Sequence, residues 1–294
     1  MASHTYFTPD TGVEQYNYFD QNSKSSCVTN FTTSANYPPA TSTFTLVGEY
    51  AAVDPNAPGG VNWNAPLFPH PFWVGSVAEA VFTIGTERNT GKVFGAAYAP
   101  ILANVNSEQW RTDLIYFDAE QSDTSLSTSW YVIELLSNTR FTTTRQVTTS
   151  APTGPLYWVA GENEDSGSYI FKTAVYNSTN GTNVPLTVNF PNIRPGTQAN
   201  LTYLTAPDAY SYNGIGMPQV VKATTQILQA NWQGGFTFEL PNYSVAVLAT
   251  MPQVQPPWGM PWGWGGSWSK SSQGGFGGCK NGGFKGWMSW GHSC

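Results

Sequence analysis

The sequence predicts an α/β part followed by an all-β part, the second being an antiparallel sandwich. Three observations carry this. Strand-like and helix-like stretches alternate through residues 1–145, the order of a parallel α/β structure. Short alternating runs broken by turn residues fill 156–250, the rhythm of an antiparallel sandwich. Residues 255–294 contain no Leu, Ile, Val, Asp or Glu and carry six of the twelve Trp. A segment without aliphatic side chains cannot build a packed core. The expected divisions are therefore 1–145, 146–251 and a disordered Gly/Trp-rich tail, 252–294.

Taken in order, Phe44 to Tyr50 is a short apolar strand ending in a carboxylate, Glu49. A Pro/Gly-rich loop, Asp54 to Pro71, leads to a helix from about Trp73 to Thr86. Its apolar residues Trp73, Val77, Ala80, Val81 and Ile84 recur at helical spacing. Val93 to Leu102 is expected as a second buried segment, strand or helix. Leu114 to Phe117 reads as a strand, and Ser127 to Leu136 as a helix with Trp130, Ile133 and Leu136 on one side. The sandwich strands are Tyr157–Ala160, Tyr169–Tyr176, Val184–Phe190, Ala199–Leu204, Phe236–Leu240 and Ser244–Leu248. Glu164-Asp165-Ser166-Gly167, Asn180-Gly181 and Pro195-Gly196 mark turns.

Charged residues make up only 10% of the 294, against about 25% in average soluble domains. Aromatic residues reach 15%. Such a surface suits neutral polar ligands such as sugars. The net charge of −6 and the lack of a Lys/Arg stripe argue against nucleic acid, which needs concentrated positive charge. No run approaches the roughly 18 apolar residues of a membrane span. Asn30, Asn177, Asn180, Asn200 and Asn242 each head an N-glycosylation sequon. Five sequons suggest a secreted, extracellular protein, although the first residues lack the basic start and apolar stretch of a signal peptide. Cys27, Cys279 and Cys294 show no metal-ligand spacing. Cys279 and Cys294 pair within the tail or stay as free thiols. No cofactor is expected.

A series of motifs then falls in order along the chain. It runs His4-x-Tyr6 with Thr8-Pro9, Asn17-Tyr18-Phe19-Asp20, Val47-Gly48-Glu49-Tyr50-Ala51 and Trp73-Val74-Gly75-Ser76-Val77-Ala78-Glu79-Ala80. It continues with Glu87-Arg88-Asn89, Tyr98-Ala99-Pro100, Trp110-x-x-Asp113-Leu114-Ile115 and Ser129-Trp130-Tyr131-Val132. It closes with Tyr176 to Gly181 and Leu240 to Leu248. Over about residues 1–250 this series resembles the C-terminal half of α-L-arabinofuranosidases of glycoside hydrolase family 51, of the fungal and plant type. The resemblance implies the C-terminal fragment of a (β/α)8 TIM barrel, from the end of strand six to strand eight, followed by a jelly-roll-like sandwich. It implies retaining hydrolysis of terminal arabinofuranosyl groups in arabinans and arabinoxylans, so that arabinose-containing plant polysaccharides are the partners.

Glu49 stands where an apolar strand runs into a loop, the place where barrel enzymes put catalytic groups. The resemblance implies that it is the nucleophile, forming a covalent glycosyl-enzyme that water then hydrolyses. A strand-end Glu bonded to its neighbours is the plainer alternative. The resemblance implies that the second carboxyl group this chemistry needs lies in an Asn-Glu motif expected upstream of Met1. Asn163-Glu164 reads instead as a solvated hairpin turn. His4 and Tyr6 alternate at strand spacing and so point the same way. The resemblance puts them at the sugar subsite. Trp63 could stack on a sugar ring and Asn104 could bond a hydroxyl, whereas Trp73, opening an apolar helix, reads as core. Glu79, Glu87 and Arg88 are expected as surface or helix-end charges. Asp54, Asp113 and Asp118 have no His or Cys at ligand spacing, so no metal site is expected.

Three readings compete. The chain belongs to an arabinofuranosidase; or its sandwich and Trp-rich stretches bind polysaccharide without cleaving it; or it is a truncated product that does not fold stably. Two or three strands of a barrel expose unpaired ladder groups and an apolar inner face, so no arabinosidase activity is expected of the chain alone.

Overall fold

The computed structural model describes residues 2–20, 45–55, 60–107, 112–120 and 122–251. Asn30, Trp110, the three cysteines and the tail from residue 252 lie outside the described residues. All described residues belong to one compact unit, Met1–Gln253.

The first layer is a parallel sheet. Strand β1 (Ala2–Phe7) pairs with β2 (Thr45–Ala52), which pairs with β3 (Val93–Tyr98), in the order β1-β2-β3. After β1, Thr8 caps the short helix α1 (Pro9–Glu14), its hydroxyl accepting from the Thr11 amide while Pro9 opens the first turn. Helix α2 (Trp73–Glu87) follows β2 and buries 13 of its 15 residues. A helix buried nearly all round needs apolar or small residues on every face. Trp73-Val74-Gly75-Ser76-Val77-Ala78 provides them. Gly85 lets α2 approach the Tyr16 backbone: a Cβ there would meet the Tyr16 carbonyl at 2.5 Å.

Short strands β4 (Leu102–Asn104), β5 (Ile115–Phe117) and β6 (Thr124–Leu126) form a small mixed sheet, and α3 (Thr128–Asn138) packs on α2. The second large layer is antiparallel and six-stranded, in the order β12-β11-β14-β9-β8-β7. Its strands are β7 (Thr143–Arg145), β8 (Leu156–Asn163), β9 (Ser168–Val175), β11 (Gln198–Thr205), β12 (Lys222–Gln229) and β14 (Ser244–Thr250). Strands β10 (Val184–Asn189) and β13 (Gly235–Leu240) form a two-stranded antiparallel sheet. Phe236, Phe238 and Leu240 of β13 share a core with Trp158, Phe171, Leu201 and Leu248 of the six-stranded sheet. A second core joins Trp73, Val77, Val81 and Ile84 of α2 to Val159, Ile170, Val245 and Val247. Helix α2 therefore closes one face of the antiparallel sheet, and the two parts of the chain share buried surface.

Several expectations need correction. Val93 to Leu102 is not one buried segment: it is β3 and the start of β4, and Phe94 is 80% exposed. Trp130 and Ile133 pack on the parallel-sheet core while Leu136 enters the α2 core, so α3 uses two sides rather than one. Strand β7 pairs with β8, placing Thr143–Arg145 in the antiparallel sheet rather than before it. Strand β12 was not foreseen. Among the described residues, no helix is long and apolar enough to cross a membrane.

Candidate functional site

The site grows out of one irregularity in β2. On its β1 side the register steps from Ser3↔Val47 to His4↔Glu49, skipping Gly48. On its β3 side it steps from Val47↔Ala96 to Tyr50↔Tyr98, three residues against two. An extra residue in one strand bends it and re-aims the side chains beyond. Here the extra residue falls at Gly48-Glu49, so Glu49 comes out of the irregularity beside His4.

His4 Nδ1 lies 3.2 Å from Glu49 Oε2. Tyr6, two residues along β1 and hence on the same face, donates its phenol to the same oxygen. Both contacts fall on Oε2, and neither engages Oε1. The Glu49 side chain is 36% exposed, so the carboxylate is held at the surface rather than sealed in. Burial, the Glu49 hydrogen bond and the Glu49 charge all push the Tyr6 phenol well above its ordinary pKa, keeping it protonated as the donor. Trp63, in the loop after β2, is 54% exposed and sets its ring edge-on to Tyr6 at 5.6 Å and 87°. That loop is tied down by Asp54 Oδ2, which accepts from the Asn62 amide at 2.5 Å.

His4, Tyr6, Glu49 and Trp63 thus form one contact cluster. Strand β2 runs on to Ala52, three residues past Glu49, rather than ending at Tyr50. Asn104 lies outside the cluster, at the end of β4, where its Oδ1 accepts from the Asn106 amide at 3.1 Å. Trp73 is fully buried, its indole donating to the Tyr243 carbonyl at 2.7 Å. Asn163-Glu164 opens the β8–β9 turn, with Asn163 Oδ1 accepting from the Asp165 and Ser166 amides. A cavity of about 230 Å³ is lined by His70, Tyr116, Tyr212 and Met217 and by none of the four cluster residues. Among the described residues, no group of three or more His, Cys, Asp or Glu is placed to hold a metal ion.

Of the three charges expected at the surface or helix end, Glu87 and Arg88 do stand at the end of α2, and Glu79 does not. Glu79 is not a surface group but 3% exposed, and its Oε1 accepts from the Ala52 amide of β2 at 2.9 Å. Burial pushes its carboxyl up to about 7, against the opposing pull of the Ser129 hydroxyl, the Ala52 amide and the Tyr98 hydroxyl. Glu87 receives the Lys172 ammonium at 2.7 Å. Arg88 pairs with Asp20 at 2.6 Å and covers the Tyr16 ring. The sequence did hold a signal for Glu79. It is the only charge between Trp73 and Thr86, and a helix apolar all round carries its one charge inside.

Residues 48–244 match the family model of the α-L-arabinofuranosidase C-terminal domain. The probable α-L-arabinofuranosidase A of Aspergillus niger is 39% identical over 246 residues, which are 84% of this chain and 33% of that protein. Its counterpart in Aspergillus terreus is 36% identical over 245 residues, 83% of this chain and 33% of that protein. The chain spans about a third of the length of these curated relatives. Among solved structures, the arabinose-bound MgGH51 α-L-arabinofuranosidase superposes with a TM-score of 0.69 at 26% identity, covering 85% of this chain and 36% of that one. An arabinose complex of the Thermotoga maritima α-L-arabinofuranosidase, 13% identical, shares the fold with a TM-score of 0.57 over 85% of this chain and 52% of that one. The motif series, the mostly β architecture and these matches agree: the chain belongs to the α-L-arabinofuranosidase C-terminal domain family.

Proposed function

We propose that this chain carries the nucleophile side of a retaining α-L-arabinofuranosidase, with Glu49 as the attacking carboxylate. One observation carries the reading: Tyr6 donates to Oε2 of a partly exposed Glu49, His4 Nδ1 lies 3.2 Å from that same oxygen, and neither engages Oε1, which faces an incoming anomeric carbon. Attack by Oε1 forms the glycosyl–oxygen bond as the bond to the leaving oxygen breaks; water later attacks the same carbon and frees Glu49. Tyr6 and His4 fix the carboxylate, and Trp63 offers an exposed ring to the sugar. The leaving oxygen needs a proton from a second carboxyl group about 5–5.5 Å away. Neither contact of the Glu49 carboxylate, His4 or Tyr6, is such a group.

The finer architecture belongs to the same proposal. The parallel order β1-β2-β3 with α2 between β2 and β3 fits the closing units of a (β/α)8 barrel, with Glu49 near the C-terminal end of its strand. The six-stranded and two-stranded sheets fit a jelly-roll-like sandwich. The substrates proposed are terminal arabinofuranosyl groups of arabinans and arabinoxylans. A sequon-rich chain of this kind is proposed to be secreted.

An aryl α-L-arabinofuranoside with a dinitrophenolate leaving group tests the assignment, because that group departs without protonation. Mass spectrometry after brief incubation is expected to find one arabinosyl adduct, on the Glu49 peptide, and none in Glu49→Gln. An unactivated aryl arabinofuranoside is expected to give no turnover with this chain alone. Absence of the adduct from folded protein, or an adduct on another carboxylate, would overturn the assignment.

A further inference from the structure

Strand β2 has two neighbours, and only one accompanies it to its end. On the β1 side pairing continues through Phe7↔Ala52, and the Val53 amide donates to the Phe7 carbonyl at 2.9 Å. On the β3 side the last paired residues are Tyr50 and Tyr98, and the last backbone bond runs from the Ala99 amide to the Tyr50 carbonyl at 3.3 Å. A parallel ladder continued one step further would carry the Ala52 amide to the Ala99 carbonyl. That amide instead donates to Glu79 Oε1 at 2.9 Å. Glu79 reaches it from α2, which is seated against this end of β2. Gly75, one turn earlier, leaves so little space that a Cβ would meet the Ala52 Cβ at 3.2 Å.

We infer that Glu79 is a positioning residue for the Glu49 site: its carboxylate replaces the missing ladder partner of β2 and holds the segment from Glu49 to Ala52 in register with His4 and Tyr6. The inference rests on the reading of Glu49 as the attacking group. The register breaks near Gly48-Glu49 on both sides of β2, so beyond Tyr50 the segment is paired on its β1 side and anchored on the other by Glu79. An apolar side chain at position 79 would fill the space and leave the Ala52 amide without an acceptor inside the protein.

The Ala52 amide of β2 is hydrogen-bonded to Glu79 Oε1; the Ser129 hydroxyl of α3 and the Tyr98 hydroxyl of β3 also favour its charged form, while among the described residues Oε2 makes no hydrogen bond. Burial raises the Tyr50 and Tyr98 phenols, and the Glu79 charge adds to that rise. Among the described residues, no cation is among the groups acting on it. A buried carboxyl balanced this way changes charge near neutral pH, and the change is felt along β2. Coupling of this kind is reciprocal.

The test follows carboxyl-labelled glutamate and ring-labelled tyrosine by NMR in the full chain, together with hydrogen exchange at Ala52, in wild type, Glu79→Gln and Glu79→Ala. In wild type the Glu49 signal is expected to shift where Glu79 titrates, with an inflection there. Glu79→Gln keeps an oxygen acceptor, so Ala52 protection is expected to stay within about threefold while that inflection disappears. Glu79→Ala is expected to lower Ala52 protection by roughly tenfold or more and to shift both the Glu49 and Tyr6 signals. Unchanged Glu49 and Tyr6 signals alongside lost Ala52 protection would reduce Glu79 to a structural prop and overturn the inference. So would an inflection that persists in Glu79→Gln, a readout available even if Glu79→Ala does not fold. None of these readouts needs turnover, so failure of the adduct experiment on Glu49 is separately visible.

Discussion

Lys172 Nζ lies 2.7 Å from Glu87 Oε1 and 2.7 Å from the Leu136 carbonyl, joining β9 to the ends of both α2 and α3. The ammonium is 2% exposed, and the Phe141 ring covers it at 5.0 Å. Burial lowers the Lys172 pKa and raises that of Glu87, while each charge pulls the other back. Removing one partner from such a pair costs more than the pair itself contributes, because the other is stranded. Lys172→Met is expected to destabilise the chain by about 3 kcal/mol, toward the lower end for buried pairs because the Glu87 side chain is 30% exposed. Lys172→Met with Glu87→Gln is expected to recover part of that loss. Urea unfolding of the two variants and wild type measures both.

Glu79 gives the chain a pH-dependent stability whose sign is fixed by burial. Its folded pKa is raised to about 7 from an ordinary 4.5. The neutral form is therefore the one the fold prefers. Its contribution is fully present below pH 4.5 and is lost as pH rises through about 7. The gap corresponds to roughly 3 kcal/mol. Glu79→Gln is expected to remove this decline, so that its urea midpoint exceeds that of wild type increasingly from pH 5 to pH 8. Parallel midpoints across that range would contradict the burial argument.

What the sequence made legible follows from how burial writes itself into residue patterns. Helix α2 was readable because Trp73, Val77, Ala80, Val81 and Ile84 recur at helical spacing. Strand β14 was readable because Ser244–Thr250 lies between two cores. Strand β12 was not, because it is a sheet edge exposed at six of eight positions, so no face is marked by apolar residues. Phe94 misled for the opposite reason: it is apolar and exposed. The resemblance picked out His4, Tyr6 and Glu49, but their convergence depends on a register shift at Gly48 that a linear pattern does not encode. Glu79 is a charged residue in an apolar helix, and residue type alone points to the surface where its apolar neighbours point to the core.

Tyr6 separates orientation from stability. Tyr6→Phe keeps the ring against Trp63 and removes only the donor to Glu49. A change in stability of no more than about 1 kcal/mol is expected, since one part-buried hydrogen bond is lost. The rate of adduct formation on Glu49 is expected to fall by roughly tenfold to a hundredfold, the usual scale for a lost donor at a reacting group. Time-resolved mass spectrometry with the dinitrophenyl arabinofuranoside measures it. An unchanged rate would assign the orienting role to His4 alone.

The sequons differ in what their side chains already do. Asn177, Asn180 and Asn200 are exposed, and Asn177 and Asn180 sit at positive φ in the turn after β9, where Asn is well tolerated. Asn242 is half-buried, and its Oδ1 accepts from the Ser178 amide at 2.8 Å, bracing that same turn against the β13–β14 corner. A glycan on its amide nitrogen would have to grow from a side chain packed beside Gly181. Expression through a secretory host is therefore expected to give occupancy at Asn177, Asn180 or Asn200 and little at Asn242. Glycopeptide mass spectrometry after enzymatic deglycosylation in heavy-oxygen water reads each site separately. Asn242→Ala is further expected to destabilise the chain by about 1 kcal/mol through the orphaned Ser178 amide, whereas Asn200→Ala is expected to change it by less than about 0.5 kcal/mol. High occupancy at Asn242 with unaltered stability would show that the Ser178 bond does not hold this corner.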